Sequence, residues 1–342
     1  MNRSSFPAFI VDEDLLTASR QVLMVEVGAL WSRWRKYALE HSGSSLTEAL
    51  DRLTRNVPDT PKVRHWCAVT REFLKAHRDG TEPDPCYLSH FEMDGLERGR
   101  LTQLHTFKLL EAYAAARFVG DDPGDVLECA GEIRLPVSID LGLGGLVAPT
   151  YQDRRGRWSL TLGAGEARFE CGGAGRSTRS EPVEGRTVSL PSSWRWEGPA
   201  FMSHGGRRTH FPIRDRALCE PYAALAPIIV DQGVVEEWGR TLHEAFDYSL
   251  SLDPGRHATC MALLPEILPL YHGLGQAYAS ASNERVLGYG YLPGIRSPLD
   301  VAECFIHEAM HQKLFRLDQL IPLFESSSPR TCLLYTSDAA DE

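Results

Sequence analysis

No stretch of this chain approaches the roughly 20 consecutive apolar residues that a helix needs to cross a bilayer. The amino terminus, MNRSSFPAFIVDEDLL, places an acidic cluster where an export signal would need an unbroken apolar run. A soluble, cytoplasmic protein is therefore expected, with no membrane partner. Cysteine pairs are missing as well: the eight cysteines stand singly at 67, 86, 129, 171, 219, 260, 304 and 332, with no Cys-x-x-Cys. Reduced, mostly buried thiols fit that spacing better than a disulfide framework. Phosphate loops are absent, because LGLGGL matches neither G-x-G-x-x-G nor G-x-x-x-x-G-K-S/T and reads as strand and turn glycine. The G-x-S-x-G elbow of serine hydrolases is also absent. Positive charge is in deficit, with 36 Lys and Arg against 46 Asp and Glu, a formal charge of −10 and a pI near 5.7. That balance argues against a nucleic-acid partner and makes a cationic peptide the more natural one.

What is present suffices for a large core: 342 residues, 43% hydrophobic, enough for one large domain or two modest ones. Residues 12 to 41 carry Leu, Val and Trp at helical spacing; Ser45-Leu46-Thr47-Glu48 reads as a capping box, Pro61 can open a third helix, and 99 to 120 gives a fourth. From Gly131 the texture alternates apolar and polar residues between Gly and Pro, as strands do. Helical character returns at 233 to 252, followed by PEILPLYHGLGQAYASAS, and ERVLGYGYLPG is a strand candidate. The expectation is an α+β protein: a helical N-terminal region (1–128), a β-rich middle (129–215) and a helical C-terminal region (216–331) carrying a metal-binding helix. The final stretch, CLLYTSDAADE (332–342), resembles a translated sequencing adapter and is expected to be a non-native tail on a truncated chain. Without it the charge would be −10 + 3 = −7 and the cysteines seven, since Cys332, Asp338, Asp341 and Glu342 leave the count.

One short pattern carries chemistry: His307-Glu308-Ala309-Met310-His311, an H-E-x-x-H. Ser297-Pro298-Leu299-Asp300 before it supplies a cap, a proline at the first helical position and a first-turn acid, so a helix starts there. His307 and His311, four apart, then share a face and can close on one divalent cation, zinc or iron. Glu308 can take a proton from metal-bound water, or orient ligands from behind. A metzincin is excluded, because Leu314 and Leu317 stand where its glycine and third histidine belong. Glu325 is the one acid between Asp318 and the tail that could serve as a third ligand, or it is a solvated loop residue.

SASNERVLGYGYLPGIRSPLDVAECFIHEAMHQKLFRL, with looser similarity in AAARFVGDDPGDVLECAGEIRLPV and EEWGRTLHEAFDYSLSL, resembles the H-E-x-x-H peptide-modification proteins of bacterial biosynthetic clusters, which include 2-oxoglutarate-dependent peptide β-hydroxylases. The resemblance implies Fe(II) held by His307, His311 and a further downstream ligand, with 2-oxoglutarate and O₂ as co-substrates and a ribosomally synthesised precursor peptide as the target. Arg285, Arg296 and Lys313 are candidates for the cation that 2-oxoglutarate needs, or are surface charges. Ser280, Ser282, Tyr289 and Tyr291 face such a pocket or pack in the core. Two alternatives remain open: a zinc metallopeptidase with Glu308 as general base, and a noncatalytic peptide-binding module with structural histidines.

Two lesser clusters complete the reading. His243 and Asp247 in HEAFD form a surface i,i+4 pair or a weak metal clasp. His204, Arg207, Arg208 and His210 in SHGGRRTH form a basic loop, either a solvated turn or a guide for an acidic leader peptide. Cys304 is expected within the packed helix rather than as a nucleophile.

Overall fold

The computed structural model describes residues 13–42, 47–48, 50–51, 54, 57–82, 98–119, 127–132, 138–140, 145–147, 157–163, 166–171, 178–183, 186–191, 195–197, 201–204, 207–210, 232–270, 280–284, 286–293, 296–321 and 331–333. Among them are six helices and a larger number of short strands, with helix predominating. No helix among the described residues is long and apolar enough to cross a membrane. The chain divides into two compact units, one of 23–199 with 214–220, the other of 1–22 with 200–213 and 221–342.

The first unit contains most of α1 (Glu13–Ser42), whose first-turn acids Glu13 and Asp14 suit the positive end of the helix dipole. Ser45 lies outside the described residues, while Thr47, Glu48, Leu50 and Asp51 are helical. In α2 (Pro61–Asp79), Thr60 accepts from the Val63 amide at 3.3 Å, Pro61 takes the first turn, and Gly80 at φ 67° ends the helix by donating to Ala76 and His77 carbonyls. Only glycine adopts that left-handed turn without strain. With α3 (Arg98–Val119), these helices bury Trp34, Trp66, Phe73 and Phe107. The polar atoms inside are paired: Trp34 Nε1 donates to Thr106 Oγ1 at 2.9 Å and Trp66 Nε1 to the His105 carbonyl at 3.0 Å.

The strands of this unit are β1 (Leu127–Glu132), β2 (Ser138–Asp140), β3 (Gly145–Val147), β4 (Arg157–Gly163), β5 (Glu166–Cys171), β6 (Thr178–Val183), β7 (Arg186–Pro191) and β8 (Arg195–Glu197). They form a sheet of order β1-β4-β5-β7-β6 and a smaller one of order β2-β3-β8. Along β5, Ala167 and Phe169 are buried while Glu166, Arg168 and Glu170 are exposed, the period-two pattern of a strand with one face on a core.

The second unit carries the H-E-x-x-H motif. Its elements are β9 (Phe201–His204), β10 (Arg207–His210), α4 (Gln232–Leu252), α5 (Pro254–Leu263), β11 (Glu266–Leu270), β12 (Ala281–Asn283), β13 (Tyr289–Pro293), α6 (Pro298–Leu320) and β14 (Thr331–Leu333). The sheet order is β14-β12-β13-β11-β10-β9, with β11 parallel to β10 and β13. The residues expected to form a basic loop instead lie on two antiparallel strands, His204 opposite Arg207. Cys332 and Leu333 of the C-terminal stretch pair antiparallel with β12, opposite Ser282 and Ala281.

Trp238, Phe246, Met261, Ile267, Leu292 and Phe305 belong to one buried cluster joining α4, α5, α6, β11 and β13. Phe246 and Phe305 touch with ring centroids 4.6 Å apart, and Trp238 Nε1 donates to the Pro293 carbonyl at 3.2 Å. Every residue of β13 is buried, as expected of a strand covered on both faces. A Cβ on Gly290 would stand 2.9 Å from Leu264 Cδ2. Gly290→Ala should therefore destabilise the fold by about 1–3 kcal/mol through overpacking, read as a lowered urea midpoint.

At the start of α6 the Asp300 amide donates to Ser297 Oγ at 3.3 Å, Pro298 occupies the first turn, and Asp300 adds its negative charge there. Ser297→Ala should cost about 1 kcal/mol, and Ser297→Asp should restore it, in the same denaturation assay.

Candidate metal site

The helical repeat places His307 and His311 one turn apart on α6, and their rings meet. Nε2 of one lies 2.7 Å from Nε2 of the other, with centroids 4.4 Å apart and planes at 67°. In the absence of an ion, one ring must donate an N–H to the lone pair of the other. Two imidazoles on a tetrahedral ion at about 2.0–2.1 Å would hold their nitrogens about 3.4 Å apart, so small side-chain rotations open the contact into a clamp. His311 also stacks on Phe315 at 6.0 Å, which limits where its ring can turn.

Both rings are partly buried. Burial lowers the pKa of each below the usual 6.5, and His311 is lowered further by the neighbouring His307. Lower pKa values keep both imidazoles neutral near pH 7, the state in which a nitrogen lone pair can bind a cation.

Glu308 follows His307 and is turned about 100° from it around the helix. Its side chain is only 1% exposed. Ser280 Oγ donates to its Oε1 at 2.6 Å, while Oε2 is buried without a hydrogen-bond partner. Burial pushes the carboxyl up from 4.5 to about 7, against the opposing pull of the Ser280 and Ser282 hydroxyls. Cys304, one turn earlier, is buried, and desolvation raises its thiol to about 11 with Ser280 pulling the other way. That thiol is a packed group and no nucleophile at neutral pH.

Ser280 and Ser282 are buried at β12, and Tyr289 and Tyr291 are buried on β13 with ring centroids 4.9 Å apart. Arg296 and Lys313 are partly buried. Arg285 and Glu325 lie outside the described residues. Among the described residues, no group of three or more His, Cys, Asp and Glu side chains is arranged to hold a metal ion. His243 and Asp247 are exposed, with Nε2 3.5 Å from Oδ2 across a helical turn, the surface i,i+4 arrangement.

The residues fit a metal in one respect: two imidazole nitrogens, kept neutral by burial, converge on one face of α6. Gln312, which follows His311, was not among the residues the motif singles out. It is fully buried and clasps the backbone entering β13, its Oε1 accepting from the Gly288 amide at 2.7 Å and its Nε2 donating to the Tyr289 carbonyl at 3.2 Å. Its spacing of four from Glu308 was the available signal. No family model matches the chain, and no curated protein matches it.

Proposed function

We propose that this chain is a metal-dependent enzyme that modifies a ribosomally synthesised precursor peptide, by Fe(II)/2-oxoglutarate-dependent β-hydroxylation. The observation that carries the metal part of this reading is the meeting of His307 and His311 Nε2 at 2.7 Å on α6. The peptide and hydroxylation parts rest on the resemblance of residues 280–317 to the H-E-x-x-H peptide-modification proteins. The finer fold reading goes with it: a helical N-terminal region, a β-rich middle, and a C-terminal region organised around the metal helix.

His307 and His311 would hold the ion, and Arg296 or Lys313 would meet the distal carboxylate of 2-oxoglutarate. Bound Fe(II), with 2-oxoglutarate and O₂, supplies the oxidant for a C–H hydroxylation. The protein's own contribution is to keep the two imidazoles neutral and oriented. Glu308, held by Ser280 and pushed by burial up to about 7, can take or return a proton near neutral pH. That same titration favours one other reading, a zinc metallopeptidase in which Glu308 is the general base.

The test is to load the chain anaerobically with Fe(II). Succinate and peptide are then followed after adding 2-oxoglutarate, O₂ and the co-encoded small peptide. Succinate formation with gain of one oxygen by the peptide supports hydroxylation. Zinc-dependent cleavage of the peptide would replace it with the peptidase. Peptide binding with neither reaction, and without metal, would leave a noncatalytic binding module.

A further inference from the structure

Every polar side chain that α6 buries among the described residues lies on one line of the helix. Glu308, Gln312 and Arg316 are spaced four apart, and each reaches a different element. Glu308 accepts from Ser280 beside β12, Gln312 clasps the turn into β13, and Arg316 Nη1 donates to Ser19 Oγ of α1 at 3.1 Å. The line of His307 and His311 runs beside this one, a single residue earlier at each step.

Gln312 is the tooth of this row with the firmest hold. Both ends of its amide bind main chain, which cannot swing away as a serine hydroxyl can. The clasped turn is itself tied down: Gly288 has φ 89°, a left-handed conformation natural to glycine, and its carbonyl accepts from the Glu266 amide at 3.3 Å at the head of β11. Gln312 thus fixes α6 against the junction of β11 and β13.

The geometry of a metal clamp on one helix divides into two independent parts. The separation of His307 and His311 is set by the helix itself and survives any rigid rotation. Their direction, toward ligands contributed by other segments, is set by whatever fixes the rotation of the helix about its axis. With side chains reaching about 6 Å from that axis, a turn of about 10° carries both ring nitrogens about 1 Å. A displacement of that size is enough to spoil a coordination sphere.

We propose that Gln312 is a positioning residue for the metal: by clasping the Gly288 amide and the Tyr289 carbonyl, it locks the rotation of α6 and so aims the His307–His311 pair at the remaining ligands. The inference rests on reading those histidines as metal ligands. A leucine at 312 would fill the space but leave the two buried backbone groups without partners. That loss alone would lower stability, so the test must separate aim from packing.

Zinc affinity is measured by competition with a chromophoric chelator, and the visible spectrum of the Co(II)-loaded protein reports ligand geometry. Wild type is compared with Gln312→Met, which keeps the length and removes both bonds, and with Phe305→Leu, which weakens the core on the same helix without touching the clasp. Gln312→Met should bind zinc at least about tenfold more weakly, the loss typical of residues that orient ligands, with an altered cobalt spectrum. Phe305→Leu should stay within about threefold of wild type despite a comparable fall in thermal midpoint. Gln312→Glu, which can still accept from Gly288, should fall between, and it serves if Gln312→Met does not fold. Wild-type affinity and spectrum in Gln312→Met, or an equal loss in Phe305→Leu, would overturn the positioning role alone. A wild-type protein that binds no zinc would overturn the metal reading and this inference with it.

Discussion

Replacing His307 or His311 by alanine should abolish stoichiometric metal binding, with affinity falling by more than the roughly 10–100-fold that accompanies loss of an orienting neighbour. The reason is geometric. In the proposed site each imidazole would supply a bond to the ion, and α6 has already paid the orientational cost by holding both nitrogens together at 2.7 Å. Removing either leaves one nitrogen and no chelate. The two variants should fold, because both side chains are only partly buried and neither belongs to the central apolar cluster. Metal content of protein purified in Fe(II) and in Zn(II), measured by mass spectrometry beside a thermal melt, gives the answer. Unchanged metal in both variants would dismiss the site. Acid should mimic the substitutions: because burial lowers both imidazole pKa values, metal should be retained as pH falls past 6.5 and be lost only further down.

How much of this site was legible in advance depends on how local its chemistry is. The start of α6 was, because Ser297, Pro298 and Asp300 act on amides within one turn of themselves. The pairing of His307 with His311 was also legible, since the helical repeat alone brings them together. The same cap-and-proline signal stands at Asp253-Pro254, where Asp253 accepts from the Arg256 amide at 3.0 Å, yet α5 is too short to show a full amphipathic period and went unread. Ser280 as the partner of Glu308 was beyond local reasoning: the residues are 28 positions apart and meet through the packing of β12 against α6. Gln312 illustrates the middle case, since its spacing from Glu308 was visible but its grip on Gly288 and Tyr289 is tertiary. SHGGRRTH misled because two glycines and four basic residues look like a loop, whereas cross-strand pairing of His204 with Arg207 makes it part of a sheet.

Glu308→Gln should make the metal-free protein more stable at pH 8, by up to about 3 kcal/mol, and change it far less at pH 4.5. The magnitude follows from the shift of the carboxyl from 4.5 to about 7 at about 1.36 kcal/mol per unit. The sign follows from which state holds the proton. Between about 4.5 and about 7 the folded protein keeps a proton on Glu308 that the unfolded chain has released, so stability falls as pH rises through that window, and the full penalty is present above it. Glutamine has no proton to lose, and its carbonyl can still accept from Ser280. His307 and His311 contribute a slope of the opposite sense as pH drops below 6.5, but they are present in both proteins and cancel in the comparison. Urea unfolding of both proteins in chelator across this range measures the difference, and a gap that does not widen with pH would dismiss the argument. A bound divalent cation should narrow the gap, because positive charge beside the carboxylate replaces the solvation that burial removed. Burial of Glu308 thus costs the metal-free protein most where the carboxyl is ionised, and whether metal loading narrows the gap tests the proposed role of that carboxylate apart from its packing.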